Sequence, residues 1–241
     1  MPSAPAASAF APKDIVATLN GDVRGGAVYG KGVQIDGGKN NVITLNGVVS
    51  AGSNLAILGT TGNDAIISNK GVIGNIDLGT GVNSFHNTAA STLVSLDYVK
   101  LNGGLLTTDG IFTPGGNNHV QTTRVEGSFK QTGTGVFLTD LDLGKTGKAG
   151  EIDRLDVTGS LDLKGKFVLQ IGKQGPQTDS RDTSRLGKPA GMMVDPETNE
   201  LYVADGYYNH RVIVFDATTG AFKRMWGAYG KPPTDDKAPA Y

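Results

Sequence analysis

Cysteine is missing from all 241 residues, which excludes disulfides and thiolate metal sites. Histidine is scarce. His86, His119 and His210 never fall at i, i+4 spacing, so a zinc site would have to gather all three from distant segments. Charge of one sign is lacking too: 22 basic residues meet 23 acidic ones, and no overall field draws the chain to nucleic acid or to an anionic membrane. No apolar run approaches the ~18 residues of a membrane-spanning helix, so direct membrane insertion is not expected. No window of a dozen residues repeats every 3.6 residues, which leaves essentially no helix. There is no Gly-x-Ser-x-Gly elbow. Gly144-Lys145-Thr146 carries only the tail of a phosphate loop, without its upstream glycine.

What is abundant is glycine, at 36 residues, beside an ordinary 10 prolines. Between Asp14 and Lys164 short apolar runs alternate with Gly, Asn and Asp. Val42–Leu45, Leu55–Leu58, Ala65–Ile67 and Leu93–Leu96 suit strands and are too short for helices. The residues between them tolerate positive φ and make tight corners. Asn46-Gly47, Asn69 with Gly71, and Asn83 with Asn87 recur at roughly the length of one solenoid coil. Asparagines at one corner of successive coils can hydrogen-bond in a ladder. From Gly135 the alternation sharpens. Leu141 faces opposite to Asp140 and Asp142, Leu155 and Val157 opposite to Arg154 and Asp156, and Leu161 and Leu163 opposite to Asp162, as in strands with one wet face. The expected fold is all-β, a right-handed parallel β-helix, with a β-sandwich as the alternative.

Three segments carry a family resemblance. Asp109-Gly110-Ile111-Phe112-Thr113-Pro114-Gly115-Gly116 comes first, then Val125–Gln131 with Gly135–Leu138, then Asp153-Arg154-Leu155-Asp156-Val157-Thr158-Gly159. In order and spacing they resemble the passenger domains of bacterial autotransporters, over about residues 33–164. The resemblance implies a parallel β-helix displayed extracellularly, at the outer membrane of a Gram-negative bacterium. Neither a signal peptide nor a translocator barrel is recognisable, so the chain reads as a passenger piece.

The remaining residues are richer in aromatics. Gly191–Val194, Leu201–Ala204, Arg211–Phe215 and Phe222–Trp226 read as four strands of an antiparallel meander, the form of one propeller blade. Gly187-Lys188-Pro189-Ala190, Val194-Asp195-Pro196, Leu201–Asp205, Asn209-His210-Arg211-Val212 and Val214-Phe215-Asp216 resemble an NHL repeat. A blade buries its faces on neighbours, so a solitary one is expected to leave apolar surface bare. The expected plan is a flexible tail at 1–12, the β-helix at 13–164, a junction at 165–186, the blade at 187–230 and a second tail at 231–241.

Possible chemistry is thin. Asp140 and Asp142 lie about 7 Å apart if both are on one strand face. With Asp153, Asp156 and Asp162 they could bind a cation or act on glycans, but a solvated face balanced by Lys145, Lys148 and Lys164 accounts for them more simply. Gly59–Ile66 is one residue short of a calcium-binding repeat built around Asp64, and it has no second copy. No cofactor is expected. Tyr207, Tyr208, Arg211 and Trp226 are the candidate interaction residues, although Arg211 with Asp205 also suits a turn-fixing role. The expected function is a non-catalytic, adhesin-like scaffold for a protein or glycan surface ligand. The alternatives are a carbohydrate-active β-helix and a propeller-type binding module completed by oligomerisation through the blade.

Overall fold

The computed structural model describes residues 13–142, 151–171, 179–218 and 220–235. It is nearly all β, with a parallel β-solenoid of about five turns and a four-stranded antiparallel sheet. The chain divides into two compact units. Residues up to 112, 124–136 and 156–166 form the first, and 113–123, 137–155 and 167 onward form the second.

In the first unit, parallel pairing places each coil in register on the one before. Ile43, Ile66, Phe85, Leu106 and Phe129 are consecutive partners and make one buried column. Ile57, Ile76, Val99 and Val125 make a second. Val49, Val72 and Leu93 make a third. These apolar residues are β-branched, leucine or phenylalanine, the types that fill a pleated surface well. Phe112 and Phe129 meet edge to face at 5.0 Å between centroids.

The strands Val48–Gly59 and Tyr98–Thr108 each turn a corner in mid-course, where the pairing with the next coil is interrupted and shifts register. Asn54 (φ 69°) and Asn102 (φ 51°) sit at those bends, in the left-handed region that asparagine tolerates. At another corner only glycine fits: a Cβ on Gly81 would lie 1.8 Å from the Gly62 carbonyl oxygen. The asparagine ladder forms as expected. Asn46 donates to Asn20 and Asn69 to Asn46, each at 2.8 Å.

Polar groups also run through the interior. In the column Leu45, Ser68, Asn87, Thr108, Gln131 only the first is apolar. Asn87 Nδ2 donates to Thr108 Oγ1 and to the Ile111 carbonyl, both at 2.8 Å. Gln131 Nε2 donates to the carbonyls of Gly135 and Lys166. These buried amide donors are thus met by acceptors on their own or a neighbouring coil, while Asn87 Oδ1 is buried with no hydrogen-bond partner.

Several expectations change. Leu161 and Leu163 were expected to face inward but are about half exposed. Their strand pairs with Phe129–Gln131 as the last rung of that column among the described residues, so nothing described stacks on its outer side. Lys166–Ile171 is a strand, within what was expected to be a junction. The presumed tail is tied down as far as Asp235, whose carboxylate accepts from the Ser180 N–H. Residues 1–12 and 236–241, and Leu143, Gly144, Lys145, Thr146 and Lys148, lie outside the described residues.

Asp64 is not at a calcium site open to solvent but inside the solenoid, 1 % exposed. Its Oδ1 accepts from Asn41 Nδ2 at 2.7 Å, and its N–H donates to Asn83 Oδ1 at 2.9 Å. Its Oδ2 is buried with no hydrogen-bond partner. Burial pushes this carboxyl above its ordinary range, against the Asn41 bond. A raised folded-state value means stability is greatest in acid and is lost as pH rises through that value. Asp64→Asn keeps the shape and removes the buried charge. At neutral pH it should raise the melting temperature by about 2–6 °C, matching roughly 1–2 kcal/mol for relief of an orphaned polar atom, and the gain should vanish near pH 4. A lower melting temperature at neutral pH would show that the ionised carboxylate is needed.

Candidate functional site

The antiparallel sheet is built as the sequence led one to expect, from Gly191–Asp195, Glu200–Asp205, Arg211–Asp216 and Phe222–Trp226 in chain order. Its turns follow from local chemistry. Asp195 accepts from the Glu197 N–H and the Thr198 hydroxyl, and Asp216 accepts from the Thr218 N–H. One face is apolar. Leu201, Val203, Ile213 and Phe215 are buried together with Leu141, and Leu169, Leu186, Phe222 and Met225 pack around them. Leu141 and Leu169 cover its centre, whereas Met192 and Val194, whose partners Val203 and Leu201 lie on that face, stay 61 % and 52 % exposed, so part of the apolar surface is left bare as expected.

A buried ion pair anchors the sheet. Arg211 and Asp205 have fully buried side chains and meet at 2.9 Å. The guanidinium also donates to the carbonyls of Ser180, Asp182 and Arg185. Asp205 accepts from the Gly187 N–H and from Asn209 Nδ2. The pair holds segment 180–187 against the strand starts, with the rigid planar fork that only arginine supplies.

On the opposite face the polar residues form a network. Arg224 makes two 2.7 Å bonds to Glu200, and Tyr202 donates to Glu200 at 2.7 Å. Lys223 approaches the same carboxylate at 3.3 Å. The Arg224 bonds, then the Tyr202 hydroxyl, hold the Glu200 carboxyl down to about 2. The same contacts raise the Arg224 guanidinium and the Tyr202 phenol. Arg224 lies over both the Tyr202 and Trp226 rings, which meet edge to face at 6.4 Å. Beside this network Gly191, Met192, Met193, Tyr202, Ala204 and Val212 line a hollow of about 220 Å³.

Residues 186–215 match the NHL repeat. No solved structure matches the chain. The matched stretch holds Gly187, Asp205, Asn209 and Arg211, so the NHL segment coincides with the anchor built around the buried ion pair.

The structure separates the candidate interaction residues. Tyr207 and Tyr208 are exposed on the turn between two strands, 72 % and 52 %, with Lys188 Nζ 4.8 Å above the Tyr208 ring. Trp226 is half-buried on the open face. Arg211 is inside and engaged on every side, which suits the turn-fixing role. Sequence reasoning missed the network of Glu200, Tyr202 and Arg224: Glu200 and Tyr202 are two apart on one strand, and Arg224 reaches them only across the sheet. Their signal was the alternation of polar and apolar residues in Glu200–Asp205.

The acidic residues of the expected wet face are elsewhere. Asp140 is buried, not solvated, and its Oδ2 accepts from the His119 N–H at 3.1 Å. Buried Asp153 accepts from the Gln121 N–H with Oδ1 and from the Asp140 N–H with Oδ2, both at 2.8 Å. Asp142 is half-buried near the end of its strand, and Asp156 and Asp162 belong to the first unit. Of these carboxylates, Asp140 and Asp153 are neighbours within the second unit, the Asp140 N–H donating to Asp153. Among the described residues no group of three or more His, Cys, Asp or Glu could hold a metal ion.

Burial, helped by the Asp140 charge, pushes Asp153 to about 6 despite its two backbone N–H donors. The folded value is raised, so this group's stability is full below the ordinary aspartate range and lost as pH rises through about 6. Urea midpoints should fall across that interval, and Asp153→Asn should remove the part centred near 6; a wild-type midpoint constant from acid to neutral pH would contradict the assignment. For the ion pair, Arg211→Met leaves Asp205 buried and unpaired at a cost of roughly 3–5 kcal/mol. Trypsin should then cut at Arg185 and Lys223 much faster than in the parent while the solenoid survives. Unchanged cleavage would show that the anchor is dispensable.

Proposed function

We propose that this chain is a non-catalytic display scaffold in which the solenoid is a rigid support and the NHL-type sheet binds protein. The observation that carries the reading is the open face of the sheet. Tyr202, Trp226 and Arg224 are stacked there beside an apolar hollow, and exposed Tyr207 and Tyr208 flank the anchor. Aromatic and arginine side chains held rigid by their neighbours are the usual anchors of protein interfaces. The NHL match supports a binding module. A propeller-type module completed by other copies remains the second form of this reading.

The finer identity is also a proposal. The passenger-like segments around Asp109–Gly116, Val125–Gln131 and Asp153–Gly159 support an exported β-helix carried at the surface of a Gram-negative bacterium. A solenoid suits this use because its stability accumulates from neighbouring coils and not from one distant closure. Asp140 and Asp153 spend their oxygens on backbone N–H groups inside the fold, which supports a scaffold over a carbohydrate-active enzyme.

The test is binding of the purified protein to panels of immobilised extracellular proteins and glycans. A saturable protein ligand is expected, with Trp226→Ala or Tyr208→Ala weakening it tenfold or more at unchanged circular dichroism. Binding indifferent to both substitutions would remove the open face from the reading, and turnover of an oligosaccharide would overturn the non-catalytic assignment.

A further inference from the structure

The two edges of the antiparallel sheet are guarded differently. The edge strand Phe222–Trp226 carries Lys223 and Arg224 at its centre, the kind of charge that keeps an edge from pairing with another chain. The other edge strand, Gly191–Asp195, reads Gly-Met-Met-Val before its terminal aspartate. Met192, Met193 and Val194 are 61 %, 63 % and 52 % exposed. No lysine, proline or bulge interrupts it. Its inner side is paired in register with Glu200–Asp205, so its backbone is already extended for a second ladder.

We infer that this strand pairs antiparallel with the same strand of a second copy, making a two-fold dimer and one continuous eight-stranded sheet. Two observations select a second copy as the occupant. First, the strand is self-complementary in charge. Lys188 lies just before it, and Asp195 and Glu197 lie at and just after its end. In antiparallel self-pairing each copy's basic end meets the other's acidic end, and no like charges face each other. Second, it is self-complementary in shape. With Met193 on the two-fold axis, Met192 of each copy faces Val194 of the other. The two Met193 side chains then lie side by side on the face that carries the hollow. That hollow, lined by Met193, Tyr202, Ala204 and Val212 among others, has room for a methionine side chain. An isologous contact of this kind closes after two copies. Methionine adapts to such contacts because it is unbranched and polarizable.

The pairing does not depend on what the open face of the sheet binds, and the experiment reads it separately. Sedimentation equilibrium of the full chain should give a dimer, with Met193→Lys raising the dissociation constant at least tenfold at unchanged circular dichroism. A lysine there places two like charges together on the axis. Because the chain has no cysteine, Met193→Cys offers a second readout that does not require the dimer to be weakened. On mild oxidation it should give a covalent dimer on a non-reducing gel, whereas Lys223→Cys on the guarded edge should give little. A monomer at every accessible concentration overturns the inference. So does a dimer untouched by Met193→Lys, equal cross-linking from both edges, or a mass that climbs past two copies.

Discussion

Parallel pairing between successive coils is the constraint on which the rest of this structure depends. It leaves no freedom in what stacks on what. Once Val42 lies over Ala65, Ile43 must lie over Ile66 and Leu45 over Ser68. Apolar residues then make columns, and any polar residue in a column must find a partner in its own or an adjacent coil. Ser68 with Ser91 and Gln131 with the carbonyls of Gly135 and Lys166 meet that demand, and Asn87 meets it through Nδ2 alone, its Oδ1 being buried without a partner. Asp64 meets it with only one of its two oxygens, so a carboxyl in that ladder is the odd member among asparagines.

The antiparallel sheet solves a different problem. A single blade has two faces and two edges, and a small sheet needs an apolar partner to be stable alone. Leu141 and Leu169 supply part of that partner, and the Arg211–Asp205 pair locks segment 180–187 in place without further apolar area. What remains uncovered is one face bearing an aromatic and arginine network, and one edge without charged protection. The resources of the sheet thus divide cleanly. Its buried side maintains the fold, and its open side is where binding is proposed.

Much of this was legible in the residues. The four strands of the meander were bounded by Asp-Pro-Glu-Thr-Asn and Asp-Ala-Thr-Thr-Gly, whose side chains accept from their own backbone, and the structure keeps those bounds to within a residue. Coil length was readable from the corner asparagines. The inward or outward sense of individual residues was less so. Asp140 followed an alternating pattern and still went inside, because backbone N–H groups in that region needed acceptors and Asp140 and Asp153 provided them. Leu161 and Leu163 also followed the pattern, yet remained exposed because, among the described residues, they form the last rung stacked on Phe129 and Gln131. Alternation records which residues share a face, not whether that face has anything to lie against.

By itself, then, the sequence determined the local vocabulary of this protein: short strands, corners that tolerate positive φ, no disulfide and a repeat near one coil in length. These are consequences of residue chemistry acting over a few bonds. Tertiary structure alone decided that Arg211 is an internal anchor, that Glu200, Tyr202 and Arg224 form one network, and that Met192 and Met193 lie on an unguarded edge. Each of these depends on the register between strands and on what packs against them, which is set by the sum of all the paired contacts and is contained in no single stretch of sequence.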